Sequence, residues 1–341
     1  MTEQDQDRAL LSALVRLGVV PAGAHPRITV LEGGVSSDIR LVELEGGPVC
    51  VKRALPRLKV AQLWEAPIER NGYEWAWFEV AASICPDAVP RLIARDADAG
   101  LFVMAYLDPA RYQPWKARLR DGVAEPVTAA AVGERLALIH NATADRADIA
   151  ARFATDQGFH AIRLEPYLLA AARAHPDRAA ALGALVEATA TTRRVLVHGD
   201  ISPKNILVGP NGPVLLDAEC AWFGDPAFDL AFCLNHLLLK CLWNRAATRG
   251  FLACFDSLAE RYLGLAAWEP VADLERRAAR LLPGLLLARI DGKSPVEYIT
   301  ADADKDRVRR VARRLLADPV ARVAAVSQAW RDAIGDEATT T

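Results

Sequence analysis

The pattern of apolar and polar positions in the first third of the chain predicts a sheet with one helix among its strands. Three short β-prone runs come first, separated by glycine-rich breaks; they cover residues 28–31, 39–44 and 49–54. Residues 68–84 then place apolar side chains at helical spacing. Two further runs, 91–95 and 101–106, flank a glycine and predict a hairpin.

Beyond this region the composition shifts to alanine, leucine and arginine with helical periodicity, most clearly in residues 129–144, 177–191 and 274–282. Short strands are expected only at residues 195–197, 206–208 and 214–216. The chain therefore reads as an α+β protein of two lobes. The predicted boundaries are a sheet lobe at 1–106 with a leading helix at about 5–18, a connection at 107–109, a mainly helical lobe at 110–335 and a frayed tail at 336–341.

Charge and apolar content exclude several classes of partner. The 41 basic and 43 acidic residues nearly cancel, which gives no electrostatic reason to expect nucleic acid or an anionic membrane. Charged residues and a proline interrupt the longest apolar stretches, and the polar N-terminus does not resemble a secretory signal, so a cytoplasmic enzyme is expected. The six cysteines lack zinc-site spacing and are predicted to be reduced and mostly buried.

Candidate chemistry is concentrated in residues 195–232, where polar side chains follow short strands. A first strand leads to Asp200, a polar loop ends at Asn205, and a hairpin returns to Asp217. Phosphoryl transfer needs one carboxylate to orient the attacking hydroxyl and take its proton, and oxygen ligands to hold magnesium against the phosphates. Asp200 fits the first role; Asn205 and Asp217 fit the second, and Glu219 could add an oxygen.

Three spaced elements in this segment resemble the aminoglycoside phosphotransferase family, which also contains choline, homoserine and methylthioribose kinases. They are H-G-D-x-x-x-x-N at 198–205, an apolar-D pattern at 215–217 and D-P-A-F-D-L-A at 225–231. The resemblance extends more weakly over about residues 27–333. It implies a bilobal protein kinase-like fold, with a catalytic loop at 198–205 and a metal segment at 217–219. It also implies ATP and Mg²⁺ as cofactors and a small-molecule hydroxyl as acceptor.

Two departures favour a small-molecule kinase over a protein kinase. Asp217 is followed by Ala218 and Glu219, the D-x-E form of methylthioribose kinases, where protein kinases have Phe-Gly. Gly199 replaces the arginine of the protein-kinase H-R-D element. Control through an activation-loop phosphate, which usually pairs with that arginine, is therefore not expected.

The resemblance implies that the first lobe binds the nucleotide. Lys52 lies in a β run and matches the family's strand lysine, which contacts the α- and β-phosphates. Its expected partner is Glu74 on the following helix, with Glu69 and Glu79 as alternatives. For each glutamate taken alone, a solvated helix face is the simpler interpretation.

A glycine-rich segment between the first two strands is a second candidate for nucleotide binding. Gly34, Ser36 and Ser37 could lay backbone N–H groups over the phosphates. Alone, such a segment is more often a turn, but its position before the strand lysine favours phosphate binding. Lys293 and Ser294 look like the end of a Walker A loop, but Leu287 stands where that motif requires glycine.

Two supporting roles are also predicted in the catalytic segment. His198 is expected to brace the catalytic loop rather than transfer protons, and Asp229 to accept hydrogen bonds from the loop backbone. Asp225 fits the N-cap of the helix that follows.

Two alternative functions remain open from the sequence. A pseudokinase would keep the fold as a binding module, although Lys52, Asp200, Asn205 and Asp217 are all present. A kinase acting on aminoglycoside antibiotics would need surplus carboxylates for its polycationic substrate, yet residues 269–341 hold 12 acidic and 13 basic side chains. A neutral or singly charged hydroxylated metabolite is therefore the preferred acceptor.

Overall fold

A computed structural model of the chain describes residues 3–31, 37–55 and 69–335. Its internal contacts divide the chain into two compact units, Met1–Tyr112 and Gln113–Thr341. Among the residues described, none of the helices combines the length and the apolar character needed to cross a membrane.

The first unit is built on a five-stranded antiparallel sheet in the order β1-β2-β3-β5-β4. The strands are β1 (Arg27–Val30), β2 (Ser37–Glu43), β3 (Val49–Ala54), β4 (Leu92–Asp96) and β5 (Leu101–Ala105). Two α-helices accompany them, α1 (Glu3–Arg16) and α2 (Arg70–Ile84). Strand β3 is central, and it pairs Lys52 with Ile39 of β2 and with Phe102 of β5. The strand lysine therefore lies in the middle of the sheet.

Helix α1 closes one side of this core. Its apolar residues Leu10 and Leu14 recur one turn apart and are buried in the same cluster as Val42, Val51 and Val103 of the sheet. The leading helix therefore contributes to the core of the first unit.

The second unit is mainly helical. Its longer helices are α4 (Pro126–Thr143), α8 (Ala179–Thr191), α9 (Pro226–Trp243), α10 (Thr248–Leu265), α11 (Val271–Asp291), α12 (Asp302–Ala317) and α13 (Val323–Gly335). Shorter helices are α3 (Trp115–Arg120), α5 (Ala147–Arg152), α6 (Asp156–Phe159) and α7 (Ala170–Ala174), with a π-helical segment at His160–Leu169. Short strands are β6 (Gln113–Pro114), β7 (Val195–Val197), β8 (Ile206–Gly209), β9 (Gly212–Leu215) and β10 (Trp222–Gly224). The predicted fold class, a sheet region followed by a mainly helical region, is confirmed.

Two elements of the second unit differ from the prediction. Helix α11 does not end before Pro283 but continues through it to Asp291. A proline inside a helix costs about 3 kcal/mol, but residues 281–290 are all buried, and that burial offsets the cost. Strand β10 was not expected; it pairs antiparallel with β7 at the strand that leads to the catalytic segment.

Helix α9 lies in the core of the second unit. Asp225 caps its N-terminus, where its Oδ1 accepts a hydrogen bond of 3.0 Å from the Ala227 amide. All residues from Pro226 to Leu242 are buried, including the polar Asp229, His236 and Lys240. The helix therefore brings polar side chains into an otherwise apolar interior.

Candidate active site

Asp229, in the first turn of α9, fixes the loop that follows β7. Its Oδ2 accepts a hydrogen bond of 2.7 Å from the His198 amide, and its Oδ1 accepts one of 2.8 Å from the Gly199 amide. The carboxylate is fully buried, and His140 Nε2 lies 3.3 Å from Oδ2. Bonds of this kind to a charged acceptor are among the stronger ones in proteins. The loop is thus tied to a core helix, as the sequence predicted.

His198 braces the same loop from the inside. Its Nδ1 accepts a hydrogen bond of 3.2 Å from the Asp200 amide, which leaves Nε2 to donate to the Leu216 carbonyl oxygen at 3.1 Å. Burial lowers the pKa of this histidine and favours its neutral form. Both ring nitrogens are engaged in structural bonds, so the predicted bracing role is observed.

Gly199 occupies a position that no other residue fits. Its φ of +79° lies in the left-handed region, and a Cβ at this position would lie 2.6 Å from the carbonyl oxygen of Cys220. Both constraints exclude the arginine that protein kinases carry here.

The carboxylate of Asp200 lies at the centre of a polar cluster. Its Oδ2 accepts a hydrogen bond of 2.8 Å from Asn205 Nδ2 and lies 3.0 Å from Arg163 Nη2 and 3.3 Å from Lys204 Nζ. The residue is only 3% exposed. These contacts hold the carboxylate in one orientation, which suits a group that must align an attacking hydroxyl.

Arg163 was not predicted from the sequence. This residue lies in the π-helical segment, its Nε donates to the Gly199 carbonyl oxygen, and its guanidinium lies 5.7 Å from the ring centre of Tyr167 and 5.9 Å from that of Phe232. Burial opposes the charge of Arg163, but Asp200 raises its pKa above the ordinary value. Arg163 therefore supplies a permanent positive charge beside Asp200, although it lies 37 positions before it in the chain.

Asn205 and Asp217 lie at the same end of the β8–β9 hairpin. The hairpin pairs Ile206 with Leu215, and the Leu216 amide donates to the Asn205 carbonyl oxygen at 2.8 Å. Both hydrogen bonds of the Asn205 side chain use Nδ2, which leaves Oδ1 as the atom for a cation. The hairpin thus brings together two of the predicted metal ligands.

Asp217 has an unusual backbone conformation, with φ at +67°. Side chains other than glycine rarely adopt this region, and aspartate is one of the few that tolerate it. Such conformations persist where surrounding structure imposes them, often at functional sites. The strain at Asp217 is an independent reason to regard this carboxylate as functional.

The oxygen donors at the site fit magnesium. Burial raises the pKa of the Cys220 thiol; Arg163 opposes this rise, and Glu219, Asp200 and Asp217 add to it, so all three carboxylates lie within electrostatic reach of that thiol. Within residues 3–31, 37–55 and 69–335, no group of three or more His, Cys, Asp or Glu side chains is arranged to hold a metal. Magnesium needs no such group, because it is usually held by one or two carboxylates together with phosphate oxygens and water.

In the first unit, the predicted lysine and glutamate form an ion pair. Lys52 Nζ lies 2.7 Å from Glu74 Oε1 and Oε2, and both residues are buried. The alternatives Glu69 and Glu79 are exposed. Glu74 is therefore the residue that partners the strand lysine, while its contact with a nucleotide stays a prediction.

Of the three predicted phosphate-binding residues in the glycine-rich segment, the structure describes only Ser37. Gly34 and Ser36 lie outside the described residues, so their predicted role in phosphate binding stays a prediction. Ser37 is the first residue of β2, is buried, and has Ala54 as its partner on β3. Its place beside the lysine strand agrees with the expected position of the segment.

Two acids that could have attracted a polycation are already engaged. Asp291 lies 2.8 Å from His175 Nε2 and 2.6 Å from Arg309 Nη2, and Glu297 pairs with Lys116. Because both acids of residues 281–299 are already paired with basic side chains, neither is an unpaired carboxylate that could bind a cationic substrate.

Comparison with known proteins finds sequence similarity to methylthioribose kinases. Methylthioribose kinase 1 of Oryza sativa subsp. japonica is 24% identical over 261 residues, covering 68% of this chain and 60% of that protein. Methylthioribose kinase of Cronobacter sakazakii is 25% identical over 281 residues, covering 73% and 69%. This chain thus spans about 60% of the length of the rice relative.

Among solved structures, an ethanolamine kinase of Plasmodium vivax has a TM-score of 0.55 at 12% identity, covering 94% of this chain and 90% of that one. Such a likeness shows a shared fold. The sequence pattern that defines the APH family, the phosphotransferase enzyme family, matches residues 27–240. The resemblance seen in the catalytic segment is confirmed, and the chain belongs to the phosphotransferase enzyme family.

Proposed function

We propose that this protein is a small-molecule kinase that transfers the γ-phosphoryl group of ATP to a hydroxyl group. The observation that carries the proposal is the buried carboxylate of Asp200, held by Asn205, Arg163 and Lys204 in a loop anchored to α9. Asp200 orients the acceptor hydroxyl and accepts its proton as the oxygen attacks phosphorus. Arg163 and Lys204 place positive charge beside Asp200 and limit its movement.

The remaining residues have roles on the nucleotide side. Asn205 through Oδ1 and Asp217 through its carboxylate would hold magnesium, with Glu219 as a further oxygen donor. When bound, the ion neutralises charge on the phosphates. Lys52, positioned by Glu74, binds phosphate oxygens of the nucleotide in the same proposal.

The acceptor is proposed to be a metabolite rather than a polycationic antibiotic. The similarity to methylthioribose kinases supports this choice. So do the ion pairs of Asp291 and Glu297, because a polycation needs unpaired carboxylates to replace its water and counterions.

A nucleotide-consumption screen tests the proposal. Purified protein is mixed with ATP and a panel of sugars, amino alcohols, hydroxy acids and aminoglycosides, with and without magnesium. Magnesium-dependent ADP formation with at least one non-aminoglycoside acceptor is expected. Turnover of aminoglycosides alone would refute the preferred acceptor class. Failure to bind ATP would refute the kinase itself and favour a binding module.

A further inference from the structure

Three basic side chains in the second unit lie near one another and, within the described residues, form no salt bridge to a carboxylate. Lys240 and His236 are on α9 and Arg289 is on α11, and each is at least 92% buried. A buried cation without a counter-ion is costly, so its presence calls for an explanation.

Lys240 is surrounded by aromatic rings. Its Nζ lies 4.3 Å from the ring centre of Trp243 and 4.7 Å from that of Tyr298, and these two rings stack at 4.6 Å. Cation–π contacts recover only part of the lost hydration. The Tyr298 hydroxyl is also buried and, among the described residues, has no hydrogen-bond partner. The Lys240 ammonium therefore lies over the ring of a tyrosine whose hydroxyl, within the described residues, has no hydrogen-bond partner.

Arg289 has a similar deficit. Its hydrogen bonds go from Nη1 to Tyr167 Oη at 3.4 Å, to Ser294 Oγ at 3.1 Å and to the Ser294 carbonyl oxygen. Its Nε is buried and lacks a partner within the described residues. All three bonds are to neutral acceptors, so the guanidinium charge is not balanced by them.

These groups are connected to the catalytic carboxylate. The ring of Tyr167 lies 5.5 Å from the Arg289 guanidinium and 5.7 Å from that of Arg163, which in turn contacts Asp200. On α9, Phe232 contacts Arg163, and His236 and Lys240 follow at intervals of four residues along the same face. At about 1.5 Å per residue, His236 and Lys240 lie about 6 and 12 Å along α9 from Phe232, so the basic side chains begin about one helical turn from the residue that contacts Arg163.

Charge in this region is predominantly positive. Burial lowers the pKa of His236 well below its ordinary value, and Arg289, Lys240, Lys204 and Lys116 lower it further. The nearby acid Glu297 already pairs with Lys116. An anion entering this region therefore meets favourable potential and unused donors.

We infer that Lys240 and Arg289, with Tyr298 and His236, form a subsite for an anionic group of the phosphoryl acceptor. The substrate class is a compact hydroxy acid that carries a carboxylate or phosphate several bonds away from the hydroxyl presented to Asp200. This inference rests on the proposed function and narrows the acceptor from neutral or singly charged metabolites to anionic ones.

Matched pairs of probes test the inference by binding and by turnover. D-glycerate is compared with glycerol, D-gluconate with glucose, and glycerol 3-phosphate with glycerol, and inorganic phosphate alone serves as a further probe. The acidic member of at least one pair is expected to raise the melting temperature of the ATP-bound protein more than its neutral partner does. Carboxylate and phosphate probes identify which anion is accepted. Equal or stronger effects of the neutral members would overturn the inference, as would stabilisation by inorganic phosphate that Lys240→Met and Arg289→Met both leave unchanged, which indicates an adventitious ion only.

Variants then locate the subsite. Lys240→Met and Arg289→Met are compared with Lys305→Met, which removes a half-buried lysine of α12. For the accepted acid, KM is expected to rise about ten- to a hundredfold in the first two variants, while KM for ATP and all constants of the control stay unchanged. Unchanged KM for the acid in both variants contradicts the assignment. If one variant does not fold, the other variant and the wild-type probe comparison decide.

The two proposals fail in different ways. Absence of ATP binding or of all turnover refutes the kinase function, while the melting-temperature comparison, repeated on the protein without ATP, still decides whether an anion site exists. Efficient turnover of neutral alcohols with no preference for acids refutes only the anionic subsite.

Discussion

Lys52 in the first unit and Lys240 in the second are both buried lysines, but they differ in what surrounds the ammonium group. Lys52 is 4% exposed and lies 2.7 Å from Glu74. Lys240 is 1% exposed and has two aromatic rings in place of a carboxylate. The first charge is balanced within the protein and the second is not. Burial alone therefore does not distinguish the two lysines; the missing carboxylate beside Lys240 is the observation on which the proposed anion subsite rests.

The largest expected effect comes from substitution of Asp200, at the centre of the polar cluster. Asp200→Asn should lower kcat by about a thousandfold or more, because the amide cannot accept the hydroxyl proton. Affinity for ATP should stay within a few-fold, since the proposed role of Asp200 is on the acceptor and not on the nucleotide. Steady-state kinetics and calorimetric ATP titration measure both. Asp148→Asn, at an exposed ion pair, is the control, and near-full turnover in Asp200→Asn would remove this residue from the mechanism.

Breaking the balanced pair should have the next largest effect. Glu74→Gln leaves the Lys52 charge buried without its counter-ion and should destabilise the first unit by about 3 kcal/mol. Glu43→Gln disrupts the exposed pair with Arg27, at 3.8 Å, and should cost less than about 0.5 kcal/mol. Chemical denaturation of both variants gives the comparison. Similar losses in the two variants would show that burial does not distinguish these pairs.

The proposed metal ligand can be tested without a backbone penalty, because Asp217 has a positive φ that glycine adopts freely. Asp217→Gly should weaken magnesium-dependent binding of a non-hydrolysable ATP analogue by about ten- to a hundredfold. Asp145 also has a positive φ, of 52°, and Asp145→Gly is the matched control. Calorimetry with and without magnesium separates the two. Equal magnesium dependence in Asp217→Gly and the control would move the metal site elsewhere.

The smallest expected effect is a pH dependence of stability at Lys240. Burial, Lys116 and Arg289 together lower the pKa of Lys240 to about 7, against the opposing effect of Glu297. Above this pKa the folded state has released a proton that the unfolded state still binds, so the free energy of unfolding rises with pH. Between pH 7 and pH 8 the gain should be about 1 kcal/mol.

Lys240→Met should lack this increment, and Lys305→Met should retain it. Denaturation curves at the two pH values measure the difference. An identical pH dependence in wild type and Lys240→Met would show that burial does not lower the pKa of Lys240. The contrast with Lys52 would then be weaker.

The parts of the site that the sequence predicted are those with short-range spacing. Asp200, Asn205 and Asp217 fall within 18 residues, and one hairpin connects the last two. The short strands around them could therefore be predicted from the sequence. The Lys52–Glu74 pair was also predicted, because a strand lysine followed by one helix leaves few candidate partners.

Long-range contacts were not predictable. Arg163 reaches Gly199 and Asp200 from a helical segment whose sequence contains no motif, and only tertiary packing brings the two together. Helix α11 continues past Pro283 because the burial of its neighbours outweighs a local preference. The unpaired charges of Lys240 and Arg289 were likewise not predictable, because a sequence shows which residues are charged but not which of them form ion pairs.

The burial of α9 along its whole length has a consequence for how this protein can change. A surface helix such as α12 exposes some positions and buries others, so substitutions are tolerated on one face and recur with helical periodicity. Helix α9 has no such face, because all 17 residues from Pro226 to Leu242 are buried. A saturation scan of α9 should show that substitutions are poorly tolerated at every position. Tolerated substitutions in this unit are then expected mainly on the exposed faces of the helices that surround α9.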